Sequence, residues 1–286
     1  MSPKPVVAVT GANGYVGSII VEALDDSARV VRLVRNPKGA ADVGWAFGAE
    51  VSKLARTLQD KGVTHLIHAA WDMQASSQSD LEKTCVAGSA ALLEAARLAG
   101  VTNIVFISTI SAFEGARSAY GRSKLKVEAL FRHANGLVLR LGLVYGDPPG
   151  GAFAKIDHIA KTAAFVPLIG DGRVPQYLLD KATLGEVARR AVSGDLGEQL
   201  QPITVASPDP ILFRNLLERI AHAAGRRILL LPVPWRLLYF VLRAAECLGL
   251  KVAVRSDSIV SFIYHDAAPD FAPLLRSGIS PARFPT

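Results

Sequence analysis

The stretch Val6-Val7-Ala8-Val9-Thr10-Gly11-Ala12-Asn13-Gly14-Tyr15-Val16-Gly17-Ser18-Ile19-Ile20 decides the fold. An apolar, β-branched run without polar alternation reads as a strand covered on both faces. Directly after it, Val16, Ile19, Ile20, Ala23 and Leu24 recur at helical spacing, which predicts an amphipathic helix. Gly11, Gly14 and Gly17 stand between the two. Gly11 permits the sharp turn, Gly14 lets a pyrophosphate come close, and Gly17 brings the helix against the sheet. The positive end of the helix then faces the phosphates. A glycine-rich turn occurs in many α/β proteins; its place on the first strand favours a dinucleotide site.

Outward from this stretch, strands and helices alternate. Strands are expected at residues 29–34, around Trp45 and Phe47, and at residues 63–69, 101–107 and 137–141. Helices are expected between them, the longest capped by Ser79-Asp80 and ended by Gly100. Such alternation implies right-handed crossovers and a Rossmann-like, doubly wound parallel sheet of the α/β class. After Gly146 the rhythm changes to shorter, proline-punctuated elements. The expected organisation is therefore a dinucleotide-binding domain over residues 1–146 and a smaller, mixed α/β substrate lobe over residues 147–286. The boundary is approximate, because the chain can cross back.

The chain has 286 residues, half of them hydrophobic and a fifth charged, and a net charge of +7. The basic residues are scattered rather than interleaved with aromatics, which argues against nucleic acid and for phosphorylated small molecules. Two cysteines, Cys85 and Cys247, are too few for a disulfide framework and fit a reducing cytoplasm. No signal peptide is visible, and charges and prolines interrupt the apolar region 228–254, so no transmembrane span is expected. Nothing suggests a metal site. Trp235, Leu237, Leu238, Phe240, Val241 and Leu242, with Arg236 and Arg243 nearby, raise membrane-surface association; their apolar positions run almost all round, which fits a packed core helix better.

Ser108-Thr109 ends the fifth strand, and Tyr120-Gly121-Arg122-Ser123-Lys124 opens the next helix. Tyr120 and Lys124 are four apart and share a helical face. A nearby ammonium favours a phenolate, which can take the proton of a substrate hydroxyl while hydride leaves the adjacent carbon. Taken alone, the same spacing is more often a solvated helix face.

The motifs Thr10-Gly11-Ala12-Asn13-Gly14-Tyr15-Val16-Gly17, His68-Ala69-Ala70, Ser108-Thr109, Tyr120-x-x-x-Lys124 and Arg140-Leu141-Gly142-Leu143-Val144-Tyr145-Gly146 occur in that order. Together they resemble the extended short-chain dehydrogenase/reductase family, the NAD(P)-dependent sugar epimerases and dehydratases, through residues 5–190. The resemblance implies that Tyr120 is the general acid or base, and that Lys124 binds the nicotinamide ribose and depresses the tyrosine pKa. Thr109 would be the catalytic hydroxyl, with Ser108 and Ser111 as close competitors. Gly11, Asn13, Gly14, Tyr15, Val16 and Gly17 would cradle the cofactor, His68, Ala69 and Ala70 would line it, and Leu143 and Val144 would pass beside the nicotinamide. Trp71, Ser111 and Arg173 would meet the substrate, Arg173 through a diphosphate. A homodimer is the common state of such proteins.

Three departures stand out. Arg35 occupies the end of the second strand, where users of NAD often place an acid; a planar set of donors there suits a 2′-phosphate, so NADP is favoured and NAD is the alternative. Arg32 is expected to point elsewhere. Cys85 falls where the proton relay commonly has an asparagine, and a thiol cannot order water as an amide does. No clear acid follows the third strand between Asp42 and Glu50. Of the reactions the resemblance implies, epimerisation and carbonyl reduction lead; dehydration is disfavoured because Ile110 and Ser111, not two acids, follow Thr109. A cofactor-binding sensor without turnover is the alternative from another class, although such relatives usually lack the tyrosine or the lysine.

Overall fold

A computed structural model describes residues 3–75, 77–196, 202–250, 252, 254–266 and 268–285. Its centre is a seven-stranded parallel sheet. Strands β1 (Val6–Thr10), β2 (Arg29–Val34), β3 (Asp42–Gly44), β4 (His65–His68), β5 (Asn103–Thr109) and β6 (Leu137–Leu141) lie in the order β6-β5-β4-β1-β2-β3. The order reverses between β1 and β4, so a crevice opens at their carboxyl ends.

Alternate residues of each strand face opposite helix layers, and both layers are dry. Val7, Val9, Ile67, Val105 and Leu139 pack under α1 (Tyr15–Leu24). Ala8, Leu33, Leu66, Phe106 and Val138 face α2 (Val51–Asp60) and the long helix before β5. That helix starts at Ser77, whose capping box with Asp80 replaces the expected Ser79-Asp80 cap. It runs as α3 (Gln78–Leu81), a π-helical turn (Glu82–Val86) and α4 (Ala87–Leu98). Helix α5 (Ala119–His133) completes this layer with Val127 and Phe131. The third strand is Asp42–Gly44, earlier than expected, because Trp45 follows Val34 only through one last backbone bond and then turns into the core.

Beyond β6 the chain builds the lobe and then returns. β7 (Leu143–Tyr145), α6 (Gly151–Thr162), β8 (Phe165–Ile169), β9 (Pro175–Gln176) and β10 (Leu178–Asp180) lead to α7 (Lys181–Ser193), which packs on α1 in the main domain. Next, β11 (Ile203–Val205) joins the main sheet in parallel against β6. The sheet domain therefore draws on both sides of Gly146. β12 (Ile211–Leu212), α8 (Phe213–Ala223) and β13 (Leu229–Val233) re-enter the lobe, where β13 pairs in parallel with β8 over a core of Phe153, Val166, Leu168, Leu216, Leu217 and Ile220.

The chain ends with α9 (Trp235–Cys247), α10 (Ser256–Ile263) and α11 (Ala272–Arg276). The sequence reading of α9 as a packed core helix is corrected here: none of its residues is buried. Helix α10 packs on α9, and the rest of its apolar circumference is open to solvent. No helix among the described residues is long and apolar enough to cross a membrane.

Candidate active site

At the β1–α1 turn the glycines are required by space. Gly11 has φ +68°, and a Cβ there would lie 2.8 Å from the Ala70 nitrogen. A Cβ on Gly17 would sit 2.1 Å from the Gly11 carbonyl oxygen. Gly14, the N-cap of α1, offers no side chain to that helix end, and the first turn holds no acid. A Cβ on Gly14 would meet only the Gly11 oxygen, at 3.2 Å. This turn fits the diphosphate of a dinucleotide: open space in front of a helix N-terminus, with no carboxylate competing for it. Tyr15 lies under Gly150 and Gly151, and its buried hydroxyl has no hydrogen-bond partner among the described residues.

Thr10 links β1 to the turn after β4. Its Oγ1 accepts from the N–H groups of Ala69 and Ala70, each at 3.1 Å, and therefore donates to Nδ1 of His68 at 2.7 Å. His68 then carries its proton on Nε2 and donates to Ser89, whose hydroxyl donates to the Cys85 carbonyl. Burial holds the imidazole neutral, pushing its pKa down to about 3, with the Lys124 charge adding to the effect. Of the expected His68-Ala69-Ala70 lining, the His68 side chain takes no exposed place. It is fully buried, stacked on Phe106 and Phe131. It fixes the Ala69-Ala70 backbone instead. Val144 is likewise buried in the main core, so only its backbone is available at that edge, whereas Leu143 packs partly into the lobe.

Tyr120 and Lys124 lie on one face of α5 as the spacing predicts. Thr109 faces the Tyr120 oxygen, where its hydroxyl favours the phenolate, and Ser111 N–H donates to the Thr109 Oγ1 at 3.2 Å. Ser108 points to the other side of β5, where its hydroxyl is buried and donates to Glu128, which also takes a two-pronged contact from Arg140. Strand alternation thus separates the candidates. Thr109 meets the tyrosine, while Ser108, expected as a competitor, is consumed in a buried ion-pair network.

Lys124 is nearly buried. Its Nζ donates to the Ile107 carbonyl at 2.8 Å and lies 4.2 Å from the centre of the Trp71 ring and 4.6 Å from that of Phe106. Trp71 also meets Tyr120 edge-on, at 5.8 Å. Removal from water outweighs these contacts, and the Lys124 pKa falls to about 7. Burial likewise pushes Tyr120 up to about 12, against the Thr109 hydrogen bond. Burial thus favours the neutral form of both groups, with Lys124 enclosed by aromatic faces and 6.0 Å from the centre of the Tyr120 ring. Cys85 is buried on the π-helical turn, where its sulfur accepts from the Asp72 N–H at 3.3 Å and faces the same pair. π-helical turns commonly mark functional positions.

The N-terminus of α5 is held from the lobe. Asp257 on α10 accepts from Ala119 N–H at 2.7 Å and Tyr120 N–H at 3.1 Å, while Ser118 caps the helix through Gly121. Sequence reasoning missed Asp257, because Ser-Asp-Ser at the start of α10 reads as that helix's own cap. Arg255, beside it, donates to the carbonyls of Gln74 and Ala75, just beyond Trp71.

At the end of β2, Arg35 is exposed and has no partner among the described residues. Arg32 does not point elsewhere, as expected: it donates to the Asn13 side chain of the glycine turn and lies 3.6 Å from Asp42. Parity fails as a guide because Arg35 is past the last residue of the strand. Asp42 also accepts from Lys38 and Gly39 N–H groups, which hold its pKa below the usual carboxylate range. Arg173 is not drawn into the Tyr120 cluster; its exposed guanidinium pairs with the neighbouring Asp171 at 3.4 Å. Among the described residues, no group of acids, histidines and cysteines is arranged to hold a metal.

Comparison with known proteins identifies the family and the fold. The NAD dependent epimerase/dehydratase family matches residues 7–174. A 2'-dehydrokanamycin reductase of Streptomyces kanamyceticus is 29% identical over 77% of this chain and 67% of its own length. Among solved structures, a UDP-glucose 4-epimerase of Thermus thermophilus in complex with NAD superposes with a TM-score of 0.63 at 23% identity, over 90% of this chain and 97% of the other. A dTDP-4-dehydrorhamnose reductase from Bacillus anthracis str. Ames in complex with NADP gives 0.68 at 17% identity, over 91% and 99%.

Proposed function

Because the chain belongs to the NAD dependent epimerase/dehydratase family, we propose that it is an NAD(P)-dependent oxidoreductase or epimerase in which Tyr120 moves a proton at a substrate hydroxyl or carbonyl. The observation that carries this reading is the meeting of Tyr120, Thr109 and Lys124 at the carboxyl end of β5, beside the crevice of the sheet. The bound nicotinamide supplies or accepts the hydride. Tyr120 Oη gives its proton to the carbonyl oxygen as hydride arrives, or takes it as hydride leaves. Thr109, oriented by the Ser111 N–H, holds the same oxygen. Lys124, once paired with the ribose rather than with Trp71, regains polar partners that favour its charged form and so the phenolate.

The substrate we favour is a nucleotide-sugar or a similar sugar carbonyl. A relative that reduces 2'-dehydrokanamycin and a fold shared with nucleotide-sugar enzymes support that class. NADP is favoured over NAD, since Arg35 is open at the end of β2 and the nearby carboxylate, Asp42, is turned to Arg32 and to two backbone N–H groups. The test is incubation of the protein with keto-sugars and nucleotide-sugars plus NADPH or NADH. Net loss of reduced cofactor marks a reductase, and a new sugar epimer without net loss marks an epimerase. Cofactor binding with neither outcome across both substrate classes would return the protein to the non-catalytic alternative.

A further inference from the structure

The surface of α9 is the least explained part of the molecule. Leu237, Phe240, Val241 and Leu248 are 58%, 65%, 57% and 76% exposed. They recur at helical spacing with Ala244 and form one apolar stripe about 100° around the helix from Leu238, Leu242 and Ala245, which are more sheltered. Immediately upstream, the β8–β13 pair turns Phe165, Leu229 and Leu231 outward. A surface in water rarely leaves so many large apolar side chains together without a use.

The charges beside the stripe are mostly basic. Residues 226–250 contain Arg226, Arg227, Arg236 and Arg243 against a single acid, Glu246. Glu246 accepts from the Ser256 N–H at 2.8 Å and its hydroxyl at 2.7 Å and lies 3.6 Å from the Arg243 guanidinium, so it offsets one of the four positive charges and leaves the excess basic. The outward stripe is thus apolar and flanked by arginine. A second copy packed on it would bring Arg236 of each copy to the seam with no carboxylate paired to it among the described residues, while Arg243 is already answered by Glu246 of its own helix. An anionic lipid surface answers the basic excess and takes up the apolar side chains together.

We propose that α9 seats the enzyme on an anionic lipid surface, with Leu237, Phe240, Val241 and Leu248 entering the acyl boundary and Arg236 and Arg243 meeting the headgroups. The seat is one helix away from the reaction. Helix α9 is tied to α10 through Glu246 and Ser256, and α10 holds Ala119 and Tyr120 through Asp257. This inference does not depend on the activity proposed above.

The experiment is co-sedimentation of the full chain with vesicles of phosphatidylcholine alone or with about one-third phosphatidylglycerol, at low and high salt. The expected result is binding to the anionic vesicles only, weakened by salt. Phe240→Ser/Val241→Ser should weaken it about tenfold or more, since both apolar contacts are lost, and Arg236→Gln/Arg243→Gln by about tenfold or more. These side chains are exposed, so unchanged thermal unfolding and cofactor binding will show that the variants are folded. Absence of binding to either vesicle overturns the proposal. So does a dimer that Phe240→Ser/Val241→Ser dissociates in sedimentation velocity, which would make a second copy the occupant of the stripe.

Discussion

Asp257, from the last third of the chain, accepts a hydrogen bond at 3.1 Å from the backbone N–H of Tyr120. The residue proposed to transfer the proton is therefore held by a carboxylate on the lobe. A carboxylate at a helix N-terminus satisfies orphan donors and complements the dipole, which stabilises by about 1–2 kcal/mol. Asp257→Ala should lower stability in urea by about that amount and reduce turnover, while Asp257→Asn, which keeps one acceptor, should retain most of both. Cofactor affinity, measured separately by calorimetry, should hold in both variants.

Tyr120→Phe should lower turnover by about 10²–10⁴-fold with the cofactor site intact. Thr109→Val should lower it by about 10²-fold, the scale of one lost donor to the reacting oxygen. Ser108→Ala should instead act on stability, by about 1–3 kcal/mol, because it leaves the buried Glu128 short of a donor. Equal losses of turnover per folded enzyme in the two hydroxyl variants would reject the division of labour that the two faces of β5 impose.

The Lys124 pKa of about 7 gives a signed pH dependence of stability. Its folded value lies below its unfolded value, so between about 7 and the ordinary lysine range the unfolded chain binds more protons. Stability contributed by this group rises with pH across that window and is absent below it. Melting temperature should thus climb from neutral to mildly alkaline pH in the wild type. Lys124→Met should flatten the rise; an unchanged slope would mean that the ammonium is better solvated than its Trp71 and Phe106 neighbours imply.

Cofactor choice should follow Arg35. Arg35→Asp is expected to weaken NADP at least tenfold and to strengthen NAD, because it removes a phosphate donor and adds a like charge. Arg32→Gln should weaken both cofactors, since Arg32 braces Asn13 in the glycine turn. Titration of both cofactors into each variant measures this directly.

The sheet was legible because its strands are buried on both faces and announce themselves as apolar runs; β2 and β6 have the expected bounds. The Tyr120 face was legible for a similar reason, as four-residue spacing survives any packing. What stayed hidden depends on contacts distant in sequence. The enclosure of Lys124 by Trp71, the capture of Ser108 by Glu128 and the reach of Asp257 to α5 leave no local pattern. Helix α9 misled because apolar residues all round imply burial only when enough protein exists to cover them.

Strand β11 also bears on how the chain is made. The ribosome releases β6 before the lobe and β11 after most of it, so through that interval β6 is an edge with free backbone donors and acceptors. Leu184 and Val187, which belong against the same core as Ile20 and Leu24, are also still to come. A nascent or truncated chain ending near Gly146 would therefore be prone to pair with its own kind. Its protection against aggregation arrives with a strand that the sequence places in the other half.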